Sequence, residues 1–325
     1  MWSLEHWQYA CLRAVVNTSL YVRTSPWLAP ATQPDRIRTY PCRPNLHACR
    51  IFLPRGRTGI LPLVIRAHGG GFIVNNPAAD DIIARHLSDK AQCVVVSIDY
   101  GKAPQNQFPS AYEDVIAQSL AAIHDPDLPL DHERPRVVLC GSSAGGNLVL
   151  AAAQDSRLRP VVMGVAGIYP PVDLDSTEEA KMATRPDPSV PDFIGKSYSS
   201  ITRLYFNAAQ PPSLKDPRLS PAYFATRDSL PPNILLIGSE HDMFCHEDEV
   251  MANKLASSQE AKVTTKNGWR APGVQWHKVY GQPHAFDAFR AKTPEQEKAR
   301  LAAVDEMYSV ISEWVIDVFP RSDRQ

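Results

Sequence analysis

The sequence predicts an α/β fold, a mostly parallel central sheet flanked by helices, and three observations carry that prediction. Short apolar runs alternate with amphipathic stretches along most of the 325 residues, as strand–helix crossovers require. Four of those runs end in loops bearing glycine, serine, acid or histidine, and in open α/β sheets that carboxyl edge is where ligands bind. One run, 137–140, leads through Gly141-Ser142-Ser143-Ala144-Gly145 into a segment rich in Ala and Leu, which sets one serine on a strand-to-helix turn.

Taken in order, residues 1–20 are broken by Glu5, His6 and Arg13 and lack the apolar centre of a signal peptide. Leu4, Trp7, Cys11, Leu12, Val15 and Val16 instead suit an amphipathic helix. Stretches 36–40 and 48–53 read as opening strands, antiparallel and joined through proline-rich turns. Strands at 61–67 and 93–99 follow, with a helix near 80–90 between them and another over 110–124. The serine turn follows its strand and precedes a helix at 148–154, and 161–168 is the next strand. The stretch 170–232 breaks the alternation. It is proline-rich, carries a helical pattern over 193–206 with Tyr198, Tyr205 and Phe206, and is too long for a bare loop. Strands at 233–237 and 275–280 and a helix at 247–257 come next, with the segment 262–273 between, expected as a loop over the site. The last helix, 294–318, sets Val304, Met307, Tyr308, Ile311, Val315 and Val318 at core-facing spacing. No internal repeat or low-complexity segment interrupts this order.

The chemistry gathers at three loops. Glycines on both sides of Ser143 allow a turn where side chains would collide with backbone. The turn lifts the hydroxyl beside the first amides of the following helix, which lack intrahelical partners and can receive negative charge. The loop His68-Gly69-Gly70-Gly71-Phe72 costs backbone entropy that an idle turn would avoid. Its candidate role is an oxyanion hole in which the Gly70 and Gly71 amides join that of Ala144. His68, at the strand end, orients this loop. Farther on, Glu240-His241-Asp242 follows the 233–237 strand and His284 follows the 275–280 strand, giving the chain order serine, acid, histidine. The acid has rivals in Glu240 and Asp248, and strand register does not choose between them. His277 is a rival base, but it lies within a strand pattern, where packing or pairing is its expected role.

With these residues in view, the chain resembles the hormone-sensitive-lipase-like esterases of the α/β-hydrolase fold, from about residue 35 onward. The resemblance rests on His68 to Phe72, on Asp99-Tyr100-Gly101-Lys102-Ala103-Pro104 with Phe108-Pro109, and on the serine turn. Ser220-Pro221, Leu230-Pro231-Pro232, Glu240-His241-Asp242 and His284-Ala285-Phe286 add to it. It implies Ser143 as nucleophile, Asp242 as acid and His284 as base. It also implies a catalytic core of 35–169 and 233–325, and a helical cap of 1–34 and 170–232 forming one structural unit with it. Three positions depart from the family pattern. Ser142 stands where Asp or Thr is usual, Gly101 replaces an arginine, and Gln105 replaces a carboxylate, all expected to be supports rather than reacting groups.

Composition sets further bounds. Lys and Arg total 34 against 35 Asp and Glu, so no basic field favours nucleic acid or an anionic membrane. No run reaches the roughly 20 apolar residues of a membrane span. Six cysteines are scattered without a C-x-x-C pair or metal-ligand spacing, so no metal or cofactor is expected and a reducing, cytoplasmic location fits. The expected partner is a small-molecule ester, and a homodimer is left open. Three functions fit the chain: a serine carboxylesterase for a small apolar ester; an acyltransferase, dehydratase or cyclase of natural-product biosynthesis on the same scaffold; and a binding receptor resembling the gibberellin receptors. The last class lacks the catalytic histidine, and His284 argues against it.

Overall fold

Runs covered on both faces have no solvent side to reserve for polar residues, which is why Val, Ile and Leu fill them continuously. In the computed structural model, which describes residues 4–192, 194–206, 213–256 and 261–319, these runs are the parallel strands. They are β3 (Leu63–Ala67), β4 (Val94–Ile98), β5 (Val137–Ser142), β6 (Val162–Ile168), β7 (Asn233–Ser239) and β10 (Val274–Val279), ordered β4-β3-β5-β6-β7-β10. Of the expected opening strands, β2 (Cys49–Phe52) adds antiparallel to β4 and β1 (Arg36–Arg38) adds antiparallel to β2. Residues 1–3, Phe193 and Ser257, parts of the expected helices, lie outside the described residues.

Strand alternation sends successive side chains to opposite core layers. Val64, Val95 and Val138 face helices α2 (Asp81–Ala91) and α8 (Pro294–Val318), where Met307 and Ile311 are fully buried. Leu63, Ile65 and Leu139 face α3 (Ser110–Ile123) and α4 (Ala144–Ala152), with α7 (Cys245–Leu255) extending that layer. Each such buried aliphatic side chain contributes about 1.5–3 kcal/mol.

Three expectations need correction. The segment 262–273 is not a loop over the site. It forms β8 (Val263–Thr265) and β9 (Gly268–Ala271), a hairpin that pairs β9 antiparallel with β10 and so covers the backbone edge β10 would otherwise expose. The helix after the serine begins at Ala144, four residues before the expected start, because glycines at 145 and 146 permit packing that propensity disfavours. A Cβ at Gly145 would lie 2.1 Å from the Ala67 carbonyl oxygen, so only glycine lets this helix end abut β3. Finally, the first helix, α1 (Leu4–Arg23), turns Trp7, Leu12 and Val15 to solvent. It is held instead by Arg13, which donates to the Ile73 and Ala103 carbonyls at 2.9 and 2.7 Å, and by a 3.0 Å bond between Asn17 and Asn76. Those loop carbonyls need a donor, and an apolar stripe cannot supply one.

The 170–232 excursion carries α5 (Glu178–Ala183) and α6 (Tyr198–Tyr205). The elbow-helix residue Asn147 donates to Pro171 and Leu219 carbonyls at 2.7 and 2.8 Å, which ties both ends of the excursion to α4. The Tyr205 ring stacks on Phe72 at 3.9 Å, and the Phe108 N–H donates to the Tyr205 carbonyl at 2.8 Å, which fixes α6 over the glycine loop.

Candidate active site

Ser143 follows β5 with φ 52° and ψ −124°, a conformation rare for a residue with a Cβ and held here by its neighbours. Its N–H donates to the Ile168 carbonyl at 2.8 Å, and a Cβ at Gly141 would lie 2.3 Å from the Gly145 carbonyl oxygen. Backbone approach on both sides of the serine therefore demands glycine. Ser143 Oγ lies 2.9 Å from His284 Nε2, and His284 Nδ1 lies 2.6 Å from Asp242 Oδ2. A carboxylate only accepts, so Nδ1 carries the proton and Nε2 is left to accept from the serine hydroxyl. The second Asp242 oxygen accepts the Phe244 N–H at 3.0 Å. Thus β5, β7 and β10 deliver one group each at their carboxyl ends, and all three side chains are buried.

The His284 ring is walled by Tyr169 at 4.8 Å and Phe244 at 5.4 Å, both edge-on. Burial disfavours its charged form, but the charge and hydrogen bond of Asp242, with the charges of Asp192 and Asp287, together lift the imidazole above the ordinary histidine value of 6.5.

Gly71 and Ala144 line the same narrow cleft as Ser143, with Phe72, Leu174, Ile194, Tyr198, Ile201 and Phe244 among its apolar walls. Gly70 precedes Gly71 in the same loop. It takes φ 131° in the turn, where its carbonyl accepts from the Ile73 and Val74 N–H groups, each at 3.0 Å. Gly69 was not singled out by sequence, yet a Cβ there would lie 3.3 Å from the Ser143 Cβ. His68 is fully buried, 3.0 Å from Asp99 and stacked on Tyr100, and it stands in the support of the loop.

With this geometry in place, the comparisons with known proteins decide the family: a profile described as the alpha/beta hydrolase fold matches residues 64–286. The chain belongs to the alpha/beta hydrolase family. This hydrolase is 29% identical over 212 residues to an arylesterase of Saccharolobus solfataricus, across 64% of this chain and 66% of that protein. It is 24% identical to an esterase of Acinetobacter venetianus across 90% of this chain and 93% of the relative. Among solved structures it is similar to the hyperthermophilic esterase of the archaeon Pyrobaculum calidifontis, with TM-score 0.71 and 26% identity, covering 95% of this chain and 93% of that one. Against the first curated relatives the match spans 66%, 40% and 43% of their lengths, less than two thirds in each case. The family match and these esterase neighbours agree with the hormone-sensitive-lipase-like pattern read from the motifs.

The rivals in the hydrolase sequence sit elsewhere. Glu240 accepts the Gly281 N–H at 2.8 Å. Asp248 is buried on α7, its carboxyl oxygens without a hydrogen bond among the described residues, and burial pushes that carboxyl well up, toward the neutral form. His277 lies within β10, 3.7 Å from Glu306.

The departures have local partners. Gly101 has no room for a side chain, since a Cβ would lie 2.8 Å from Asn106, and its N–H donates to Asp114 at 2.8 Å. Arg13 of α1 donates to Gln105 at 3.1 Å, which brings an arginine from a distant segment to the loop that lost one. Ser142 accepts from Arg66 at 2.9 Å, and Arg66 also pairs with Asp80 at 3.1 Å beneath the elbow. The sequence offered one signal for this buried cation: Arg66 interrupts an otherwise apolar strand.

Proposed function

We propose that this hydrolase is a serine carboxylesterase that cleaves a small, largely apolar ester through an acyl-enzyme. The observation that carries this reading is the hydrogen-bonded series Ser143–His284–Asp242 at the floor of an apolar cleft. Ser143 Oγ attacks the acyl carbonyl as His284 Nε2 takes its proton, and Asp242 stabilises the imidazolium that forms. Amides of Gly70, Gly71 and Ala144 receive the oxyanion, and Nε2 then protonates the departing alcohol. Water repeats the sequence on the acyl-enzyme and frees the acid. Residues 1–34 and 170–232 form the helical cap over this core, and its walls restrict the ester to small size. A cytoplasmic location is supported by six free thiols, and among the described residues no helix is long and apolar enough to cross a membrane.

Turnover of 4-nitrophenyl acetate or butyrate tests the proposal, and absence of hydrolysis across an acyl-length panel would overturn it. An added alcohol or amine acceptor distinguishes hydrolysis from transfer by its products. Because the base must be neutral, kcat/KM should fall with decreasing pH through a midpoint above 6.5, in line with the raised His284. A midpoint below that value in a pH–rate profile would count against His284 as base. In Gly70→Ala, the new Cβ meets the Val74 carbonyl oxygen at 2.4 Å, so the loop must shift. A kcat loss of about 10²–10³-fold is expected, as for removal of an oxyanion donor, with KM nearly unchanged in steady-state assays. Ile201 reaches within 3.4 Å of the position a Gly71 Cβ would take. Ile201→Ala should raise the preference for a longer acyl or alcohol arm by about tenfold in kcat/KM ratios, and an unchanged ratio for both arms would exclude it as a size filter.

A further inference from the structure

The cap reaches the acid loop as well as the cleft. Arg185, just after α5, donates from Nε to the His241 carbonyl at 2.8 Å. Asp192 accepts the Met243 N–H at 3.0 Å. His241 and Met243 are the two residues that flank Asp242. The pair therefore grips the backbone immediately before and after the acid, from a segment about fifty residues away in sequence. The two side chains are 1% and 0% exposed and stand 3.8 Å apart, so each charge has the other as its neutralising partner. The other Asp192 oxygen accepts the Ile194 and Gly195 N–H groups at 2.8 and 2.9 Å, which braces the segment that supplies Ile194 to the cleft wall. Arg185 also donates to the Val190 carbonyl, closing the 185–192 turn on itself.

We infer that Arg185 and Asp192 are positioning residues of the proposed reaction: a cap-borne ion pair that fixes the Asp242 loop and adds a second buried carboxylate to the field at His284. This inference rests on the serine esterase reading. Neither residue touches the reacting atoms; both act through Asp242 and His284. A buried pair of this kind is costly to desolvate, and a roof that only excluded water would not need one. Here its donors and acceptors are spent on the two peptide groups that aim the acid.

The field has a sign. Asp242, Asp192 and Asp287 all favour the charged form of His284. Asp287 is held by the Tyr169 hydroxyl at 2.5 Å and is opposed by Arg66. Asp248, beside Asp242 on α7, is held toward its neutral form by burial. Exposed Asp187 lies near Arg185 and His241. Arg185, 3.8 Å from Asp192, opposes that carboxylate, while the buried Lys181, over the Phe244 ring at 5.3 Å, is paired with Glu247. Removing the Asp192 charge should therefore make the imidazolium less stable, and removing the Arg185 charge should make it more stable.

The test is the pH dependence of kcat/KM for 4-nitrophenyl butyrate in the wild type, Arg185→Gln, Arg185→Lys and Asp192→Asn. Arg185→Gln should lower kcat by about 10–100-fold with KM within about twofold, as a misplaced acid requires, and should move the acidic midpoint up. Arg185→Lys keeps the charge, so its midpoint should stay near that of the wild type. Asp192→Asn keeps an acceptor for Ile194 and Gly195 but loses the charge and the Met243 contact, so kcat should fall and the midpoint should move down. Opposite shifts are the result a merely structural role would not produce. Wild-type midpoints in both charge-removing variants, with or without loss of kcat, would overturn the inference. If Arg185→Gln does not fold, the Asp192→Asn midpoint decides, and an unmoved midpoint there overturns it too. An inactive wild type would instead defeat the esterase reading, which keeps the two failures distinct.

Discussion

Ser143→Ala is expected to lower kcat on the order of 10⁶-fold while KM changes little, because the hydroxyl acts in bond formation and not in holding the ester. The fold should tolerate the change. The backbone at 143 keeps its φ of 52° through the Ile168 hydrogen bond and the flanking glycines, and alanine retains the Cβ already accommodated there. His284 would lose its 2.9 Å partner yet keep Asp242, so the imidazole stays oriented toward an empty position. A fluorophosphonate probe provides the matching measurement, since it should modify Ser143 in the wild type and leave the alanine variant unlabelled. Ordinary turnover by the variant, or wild-type enzyme that resists the probe, would remove the serine mechanism.

The next largest effect is expected for Asp242→Asn, about 10⁴-fold in kcat, as found when a triad acid is replaced by its amide. The local geometry supplies the reason. One oxygen of Asp242 accepts the Phe244 N–H at 3.0 Å, and an asparagine would keep its carbonyl oxygen there. Its NH₂ group would then face Nδ1 at the 2.6 Å contact and force that nitrogen to accept. The neutral ring would place its proton on Nε2, where the serine proton must arrive, so general-base catalysis fails even with every atom in place. Glu240→Gln is the control, because the Glu240 carboxylate meets the exposed Gly281 N–H and the His241 ring and not His284; a change within about threefold is expected. Comparable losses in the two variants, measured by steady-state kinetics on folded protein, would mean that the acid has been misassigned.

Much of this molecule is legible in the order of residues, and particular positions show where that legibility ends. The parallel strands could be read because burial on both faces imposes continuous runs such as 94–98 and 233–239. Ser143, Asp242 and His284 could be located because each follows such a run, and a sheet edge is the place where three distant loops can meet. The Asp242 choice over Glu240 could not be made from alternation, because both leave the strand at its last turn. The family resemblance favoured Asp242, and in the structure it is Asp242 that lies 2.6 Å from His284. The hairpin 263–271 was obscured because its pairing serves an exposed edge of β10 and not a local turn signal. The apolar stripe of α1 misled for a related reason: what holds that helix is one guanidinium reaching carbonyls at 73 and 103, sixty and more residues away.

By itself, then, the sequence determined the α/β architecture, the strand-turn-helix around Ser143, the glycine loop and the chain order of Ser143, Asp242 and His284. Those features follow from side-chain periodicity and from backbone conformations only glycine tolerates, which are properties of neighbouring residues. Tertiary structure alone decided how Arg66 and Ser142 support the elbow and how Arg185 and Asp192 grip the Asp242 loop. A buried charge is stable only where its partner lies, and the partner's position is set by the packing of the whole chain.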